Sequence, residues 1–324
     1  MDSHIHFALH LSGPRRGSAI TDEREIEAGM AEDPPLWLHL SADHPDTEQW
    51  IERYLTYLPE ATREALLEPQ TRPRAHWAGS GLLVILRGIN DAADADPEDM
   101  VSLRIWVDEK RVVSLARARL TGVFDVASLI RSGNGPERPI AVVTELVEAL
   151  TDEIEAHVAD LEERVDRLEA ETIANPREEM RKNVADHRLE LTELRRFIPP
   201  QRDAVRAIGH MAVPLLAEQD RDGLGEQHDQ LTRVAELLDA LRERLHTIRD
   251  ELESAQAERL NRNLYVVSVI SAVFLPLGFL TGLMGINVGG IPGEHSQLAF
   301  WVFTSLLVAV AVGVLLVLRR ARLL

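Results

Sequence analysis

Apolar residues follow two different periods along this chain, and the changeover falls near residue 140. In the first part the period is two. Ile5, Phe7, Leu9 and Leu11 alternate with His4, His6 and His10, which predicts a strand. Leu36–Leu40, Gly81–Arg87, Val101–Val107 and Arg111–Leu115 predict further strands. Asp46–Leu58 and Glu60–Leu67 predict short helices separated by Pro59. Residues 1–140 are therefore expected to form an α/β domain.

Beyond residue 140 the period becomes helical. Ile154, Val158, Leu161, Val165 and Leu168 form a heptad seam on a helix that Asn175-Pro176 ends. A second helix is expected over 177–197, stopping at Pro199-Pro200, and a third from Gln201, weakening by Pro214. A longer seam follows: Leu231, Val234, Leu238, Leu241, Leu245, Ile248, Leu252 and Ala255, at alternating steps of three and four. No proline or glycine interrupts the pattern from Glu226 to Leu275, so one helix is expected from about Gln227 to Leu283, ~85 Å long at ~1.5 Å per residue. Such a seam leading into an apolar segment predicts packing against copies of this helix or its neighbours, with packing inside one subunit as the alternative.

Two uncharged runs close the chain, Leu264–Leu283 and Leu298–Leu318. Each is long enough to cross a hydrocarbon core ~30 Å thick. The expected organisation is a cytoplasmic α/β domain (1–140), a cytoplasmic helical stalk (141–262) and a transmembrane hairpin (263–324) with a periplasmic loop at 284–297. Arg259 and Arg262 precede the first run, Arg319, Arg320 and Arg322 follow the second, and the loop has no arginine. The positive-inside rule then places both ends in the cytoplasm. Met1-Asp-Ser-His-Ile-His-Phe7 has no basic segment followed by an apolar one, which predicts no signal peptide and the same orientation.

Charge sharpens this picture. The net charge is −18, and the last 66 residues contain five arginines and one carboxylate, leaving 30 basic and 52 acidic side chains before them. An acidic body argues against nucleic acid as a partner. It suits a surface that concentrates cations, and equally one that only keeps the protein soluble. The chain has no cysteine, which excludes disulfides and thiolate chemistry. Neither lysine, Lys110 or Lys182, follows a glycine, and no His-Glu-x-x-His, Gly-x-Ser-x-Gly or Gly-x-Gly-x-x-Gly occurs, so nothing points to an enzyme or a tightly bound cofactor.

The candidate chemistry is sparse. His4, His6 and His10 share one face of the first predicted strand and are weak metal candidates. Asp94, Asp96, Glu98 and Asp99 offer oxygen ligands or form a solvated loop. On the first span, Asn261, Leu264, Ser268, Ser271, Leu275, Gly278, Gly282 and Gly285 recur at steps of three or four. A small and polar seam on an apolar helix fits a water-filled path, and it also fits close helix packing. Pro276 is expected to bend the span locally.

Gly285-Ile286-Asn287, followed by Val288-Gly-Gly-Ile-Pro-Gly293, resembles the Gly-Met-Asn signature of the CorA metal-ion transporter family, with isoleucine in the middle position. Gln70-Thr-Arg-Pro-Arg74 and Leu194–Asp203 resemble recurrent stretches of that family, and the resemblance covers essentially the whole chain. The loop is more similar to that of the zinc-transporting ZntB branch than to the magnesium branch, because Gly293 follows Pro292 where an acidic residue is common in the latter.

The resemblance implies a CorA-like funnel: a homopentamer in the bacterial inner membrane, with the first span lining a central pore. It maps Asn287 onto the asparagine that holds a hydrated cation at the outer mouth, and it maps Asn261, Leu264, Ser268, Ser271 and Leu275 onto pore-facing positions. Glu294 and His295, repeated around the mouth, are the expected groups for cation capture. The expected function is divalent cation transport, zinc first. The alternatives are a magnesium or cobalt transporter of the same fold and a membrane-anchored coiled-coil scaffold or sensor. The expected partners are the lipid bilayer, the cations and further copies of the chain.

Overall fold

The computed structural model describes residues 3–29, 34–69, 71–90, 99–286, 296 and 298–320. The chain divides into two compact units, Met1–Arg249 and Asp250–Leu324. The first is built on a six-stranded sheet: β1 (Ile5–His10), β2 (Leu36–Ser41), β3 (Arg74–Ala78), β4 (Gly81–Gly88), β5 (Val101–Val107) and β6 (Arg111–Ala116). The spatial order is β1-β2-β6-β5-β4-β3, with β2 and β6 parallel and the other neighbours antiparallel. β4 reads as an apolar run from Leu82 to Leu86, and β5 is buried along its whole length, Ser102 and Arg104 included, because helices cover both faces of the sheet.

On one face Leu36, Leu38, Leu40, Leu83, Val113 and Leu115 pack with side chains from three short helices, α1 (Glu23–Gly29), α2 (Pro45–Tyr54) and α3 (Glu60–Leu67). The other face carries α4 (Thr121–Arg131) and the first turns of α5 (Pro139–Ala174). There Trp37 Nε1 donates to Ser114 Oγ at 2.8 Å, and Phe7 meets Trp37 edge-on at 4.9 Å.

The five predicted strands are present. β3 was not expected: it is a short edge strand with little burial, so it carries no strong alternation. α4 was also not expected, although Val123, Val126, Ala127 and Ile130 are spaced for one buried helical face. A β-bulge between Ile5 and Phe7 corrects the reading that His4, His6 and His10 share a face, because one extra residue switches the side on which later residues point.

α5, α6 (Met180–His210) and the first part of α7 (Glu218–Met284) form a three-helix arrangement, with α6 antiparallel to both others. Arg138 clamps Asp220 at 2.7 and 2.8 Å, Gln230 Nε2 donates to Asp152 Oδ1 at 3.1 Å, and Arg195 pairs with Asp239 at 2.6 Å. The expected break at Pro199-Pro200 does not occur. α6 runs through both prolines, and Ile198, Gln201, Ala204, Val205 and Ile208 are buried around them. Two lost backbone bonds are outweighed by that packing and by Gln201 Oε1, which accepts the Arg87 amide at 2.6 Å.

The expectation that the long seam faces other copies is corrected too. Leu231, Val234, Leu238, Leu241, Leu245 and Ile248 are buried inside this one chain. The polar contacts beside the seam run to α5 and α6, where Gln230 reaches Asp152, Arg244 reaches Glu169 and Asp239 meets Arg195.

The second unit contains the end of α7 and α8 (Ala299–Arg320). α7 is one helix of 67 residues, continuous through Pro276. Both helices include a stretch apolar and long enough to cross a membrane, and in each that stretch is unburied within the chain.

Candidate functional site

Burial divides the first span into two faces. Val269, Val273, Pro276, Leu277 and Leu280 are half-buried, whereas Asn261, Leu264, Ser268, Ser271, Leu275, Gly278 and Gly282 are all exposed. At ~100° per residue the two sets centre on opposite sides of the helix. α8 has a single partly covered row of its own, Phe303, Leu307, Val310, Val314 and Leu318. The stripe picked out in the sequence thus lies opposite the partly covered row, within a wider exposed surface that also includes Val266, Ile270, Phe274 and Phe279. A Cβ added at Gly278 or Gly282 would meet nothing within 4 Å among the described residues, so nothing there requires glycine.

Two hydroxyls on this helix are arranged as acceptors. Ser268 Oγ donates to the Leu264 carbonyl at 2.8 Å, and Thr281 Oγ1 donates to the Leu277 and Gly278 carbonyls at 3.0 and 3.1 Å. Each hydroxyl spends its proton on its own helix and keeps oxygen lone pairs for an outside donor. Pro276 has no N–H, which leaves the Ala272 carbonyl without its intrahelical donor. The water molecules around a cation point their hydrogens outward, so acceptors are the groups that suit a hydrated cation.

The helix closes where the Gly285 amide donates to the Thr281 and Gly282 carbonyls at 2.9 and 3.1 Å. Ile286 follows it, exposed. Asn287, Glu294 and His295 lie outside the described residues, as do Asp94, Asp96 and Glu98 of the acidic loop.

The three N-terminal histidines are dispersed. The His6 ring stacks on His39 at 5.3 Å and meets Phe124 edge-on. His10 is buried with neither ring nitrogen hydrogen-bonded, and burial, then Arg15, pushes its pKa down. His4 lies instead beside His44, 5.8 Å between ring centres, and near Trp50. The sequence reading missed His44 and Asp46. Their signal was a His-x-Asp pair at the start of α2, where His44 Nδ1 accepts the Asp46 amide at 3.2 Å. The acidity of the soluble unit is locally dense, since burial and then the neighbouring Glu145, Asp152 and Glu226 push the Glu148 carboxyl up.

Residues 32–320 match the family model described as CorA-like Mg2+ transporter protein. The zinc transport protein ZntB of Yersinia enterocolitica is 34% identical over 288 residues, covering 89% of this chain and 88% of that protein. The divalent cation transporter CmaX of Pseudomonas aeruginosa is 34% identical over 317 residues, covering 96% and 94%. A solved structure of full-length CmaX superposes with a TM-score of 0.83 at 33% identity, over 99% of each chain. The CorA magnesium transporter of Methanocaldococcus jannaschii shares the fold, with a TM-score of 0.81 at 16% identity over 99% of each chain. A sheet-based first unit, a 67-residue helix, two apolar C-terminal helices and these matches agree: the chain belongs to the CorA-like Mg2+ transporter family.

Proposed function

We propose that this protein carries divalent cations across the bacterial inner membrane, as a homo-oligomer whose first spans surround the ion path. The observation that carries the reading is the exposed row from Asn261 to Gly282, set opposite the covered face of the span and leading to Gly285-Ile286-Asn287. Several such helices arranged around an axis would turn seven small, polar or leucine positions per chain towards water and their covered faces outwards. A pentamer follows from the family resemblance. The flanking arginines support cytoplasmic termini and a periplasmic 284–297 loop.

Zinc is the favoured cargo. The family model is named for magnesium, but zinc transport proteins are 34% identical over most of the chain. The row contains no histidine or carboxylate and the chain has no cysteine, so a dehydrated zinc ion would find none of its usual ligands along the path. Stripping the ion of water without replacement costs far too much. Zinc therefore passes largely hydrated, with Ser268 Oγ and the Asn287 amide oxygen accepting from its water shell, and Glu294 and His295 biasing capture towards borderline metals. Discrimination among zinc, cadmium, nickel and cobalt is accordingly modest.

The test is flux into liposomes with zinc and with magnesium, with and without a pH gradient. Zinc uptake without magnesium uptake supports the reading. Uptake of both replaces zinc by the magnesium or cobalt alternative. Uptake of neither by a correctly inserted protein removes transport altogether and leaves a membrane-anchored scaffold or sensor.

A further inference from the structure

We propose that His4, His44 and Asp46, with Glu23 as a fourth ligand, form a binding site for a borderline divalent cation such as zinc in the soluble unit. Each of the first three offers one ligand atom, and these atoms all lie within 4.8 Å of one another. The Glu23 carboxylate comes within 3.8 Å of His4 Nε2, and His44 Nδ1 stands 3.7 Å from Asp46 Oδ2. Both distances are too long for hydrogen bonds. They lie close to the spacing between neighbouring ligands around a tetrahedral zinc ion, ~3.3 Å for metal–ligand bonds of ~2.0–2.1 Å.

The second observation is the state of His4. Its side chain is buried, and its Nε2 has no hydrogen-bond partner. A buried ring nitrogen left unmatched costs free energy, and a cation bonded to its lone pair removes that cost. Its backbone is fixed, because the Ser41 amide donates to the His4 carbonyl at 2.8 Å. The other ligands stand on equally defined backbone: His44 caps α2, Asp46 lies in the first turn of α2, and Glu23 opens α1.

The donor set decides the class of ion. Two imidazoles and two carboxylates suit zinc, cobalt or nickel, whereas magnesium prefers oxygen ligands and keeps much of its water. His44 binds through Nδ1, the nitrogen 3.7 Å from Asp46 Oδ2, by giving up its 3.2 Å bond from the Asp46 amide. No residue of the proposed ion path takes part, so this site stands or falls separately from the transport reading.

The experiment uses the full-length protein in detergent, its affinity tag removed, with Co2+ alone as the probe. Visible absorption reports tetrahedral cobalt, and competing Zn2+ reports relative affinity. The wild type is expected to give a cobalt band displaced by zinc but not by magnesium. Asp46→Asn, at an exposed position, and His4→Gln are each expected to weaken that band's Kd by about tenfold or more. His6→Gln is expected to leave it unchanged. Absence of the band from the wild type, or a band indifferent to both Asp46→Asn and His4→Gln, would overturn the proposal. Flux is measured in a different preparation, so a protein that transports nothing still answers the question.

Discussion

Glu190 offers the sharpest test of how the helical part of the soluble unit is held together. It is buried on α6, yet it is a carboxylate. Arg164 of α5 reaches both of its oxygens, one at 2.9 Å. His157 Nε2 lies at 3.0 Å and His187 Nδ1 at 3.8 Å. Burial alone would push the carboxyl up, but the neighbouring His157 and His187 rings, the Arg164 hydrogen bonds and the guanidinium charge outweigh it and hold Glu190 well below the usual carboxylate range.

The perturbation is Glu190→Gln, which keeps the shape and removes the charge. Deleting one partner of a buried ion pair costs ~3–5 kcal/mol. Arg164 is partly exposed and keeps Asp160 at 2.9 Å, so solvent and that second carboxylate recover part of it. The expected loss is ~2–3 kcal/mol, or a fall in Tm of roughly 5–10 °C for a unit of this size. Tryptophan fluorescence of the full-length protein during heating measures it. The pH dependence has a definite sign. A carboxylate whose folded pKa is depressed contributes stability above its unfolded pKa of ~4.3, and that contribution disappears as pH falls towards the folded value. The gap between wild type and variant should therefore be full at neutral pH and close on strong acidification. A variant melting within about 1 °C of wild type at neutral pH would refute the reasoning.

Other expectations concern the path and the sheet. Gly282→Leu should leave the single chain's fold intact, since a Cβ there meets nothing, while cutting liposome flux by at least about tenfold if the row faces the ion; unchanged flux would remove Gly282 from the path. Asn287→Ala should assemble normally and lose most flux, and wild-type flux in it would show that the Gly-Ile-Asn match is not functional. Glu294→Gln with His295→Ala should weaken uptake at low zinc more than maximal uptake, as measured by concentration dependence. His39 is held at about 3 by burial first and by His6, so it is neutral in the fold. The unfolded chain takes up that proton below ~6.5, and stability should fall by ~1.4 kcal/mol per unit as pH drops from there towards 3, a slope that His39→Leu reduces in acid titrations.

The sequence by itself determined the parts whose physics is local. Short apolar and β-branched runs gave the strands Gly81–Arg87 and Val101–Val107, and uncharged length gave the two spans, because a helix in lipid needs nothing beyond its own residues to satisfy its backbone. Helical spacing alone places Ser268, Ser271 and Gly282 on one face, whereas Gly285-Ile286-Asn287 stood out through its resemblance to a family signature. Tertiary structure decided what depends on partners distant in sequence. It buried the seam from Leu231 to Ile248 inside the chain, since apolar spacing says that a face is covered but not by what. It carried α6 through Pro199-Pro200, where packing outweighs two missing donors. One bulge after Ile5 separated His4 from His6, and a turn some forty residues later brought His44 and Asp46 to His4, because a strand's faces are set by its register with a neighbour and not by its own alternation.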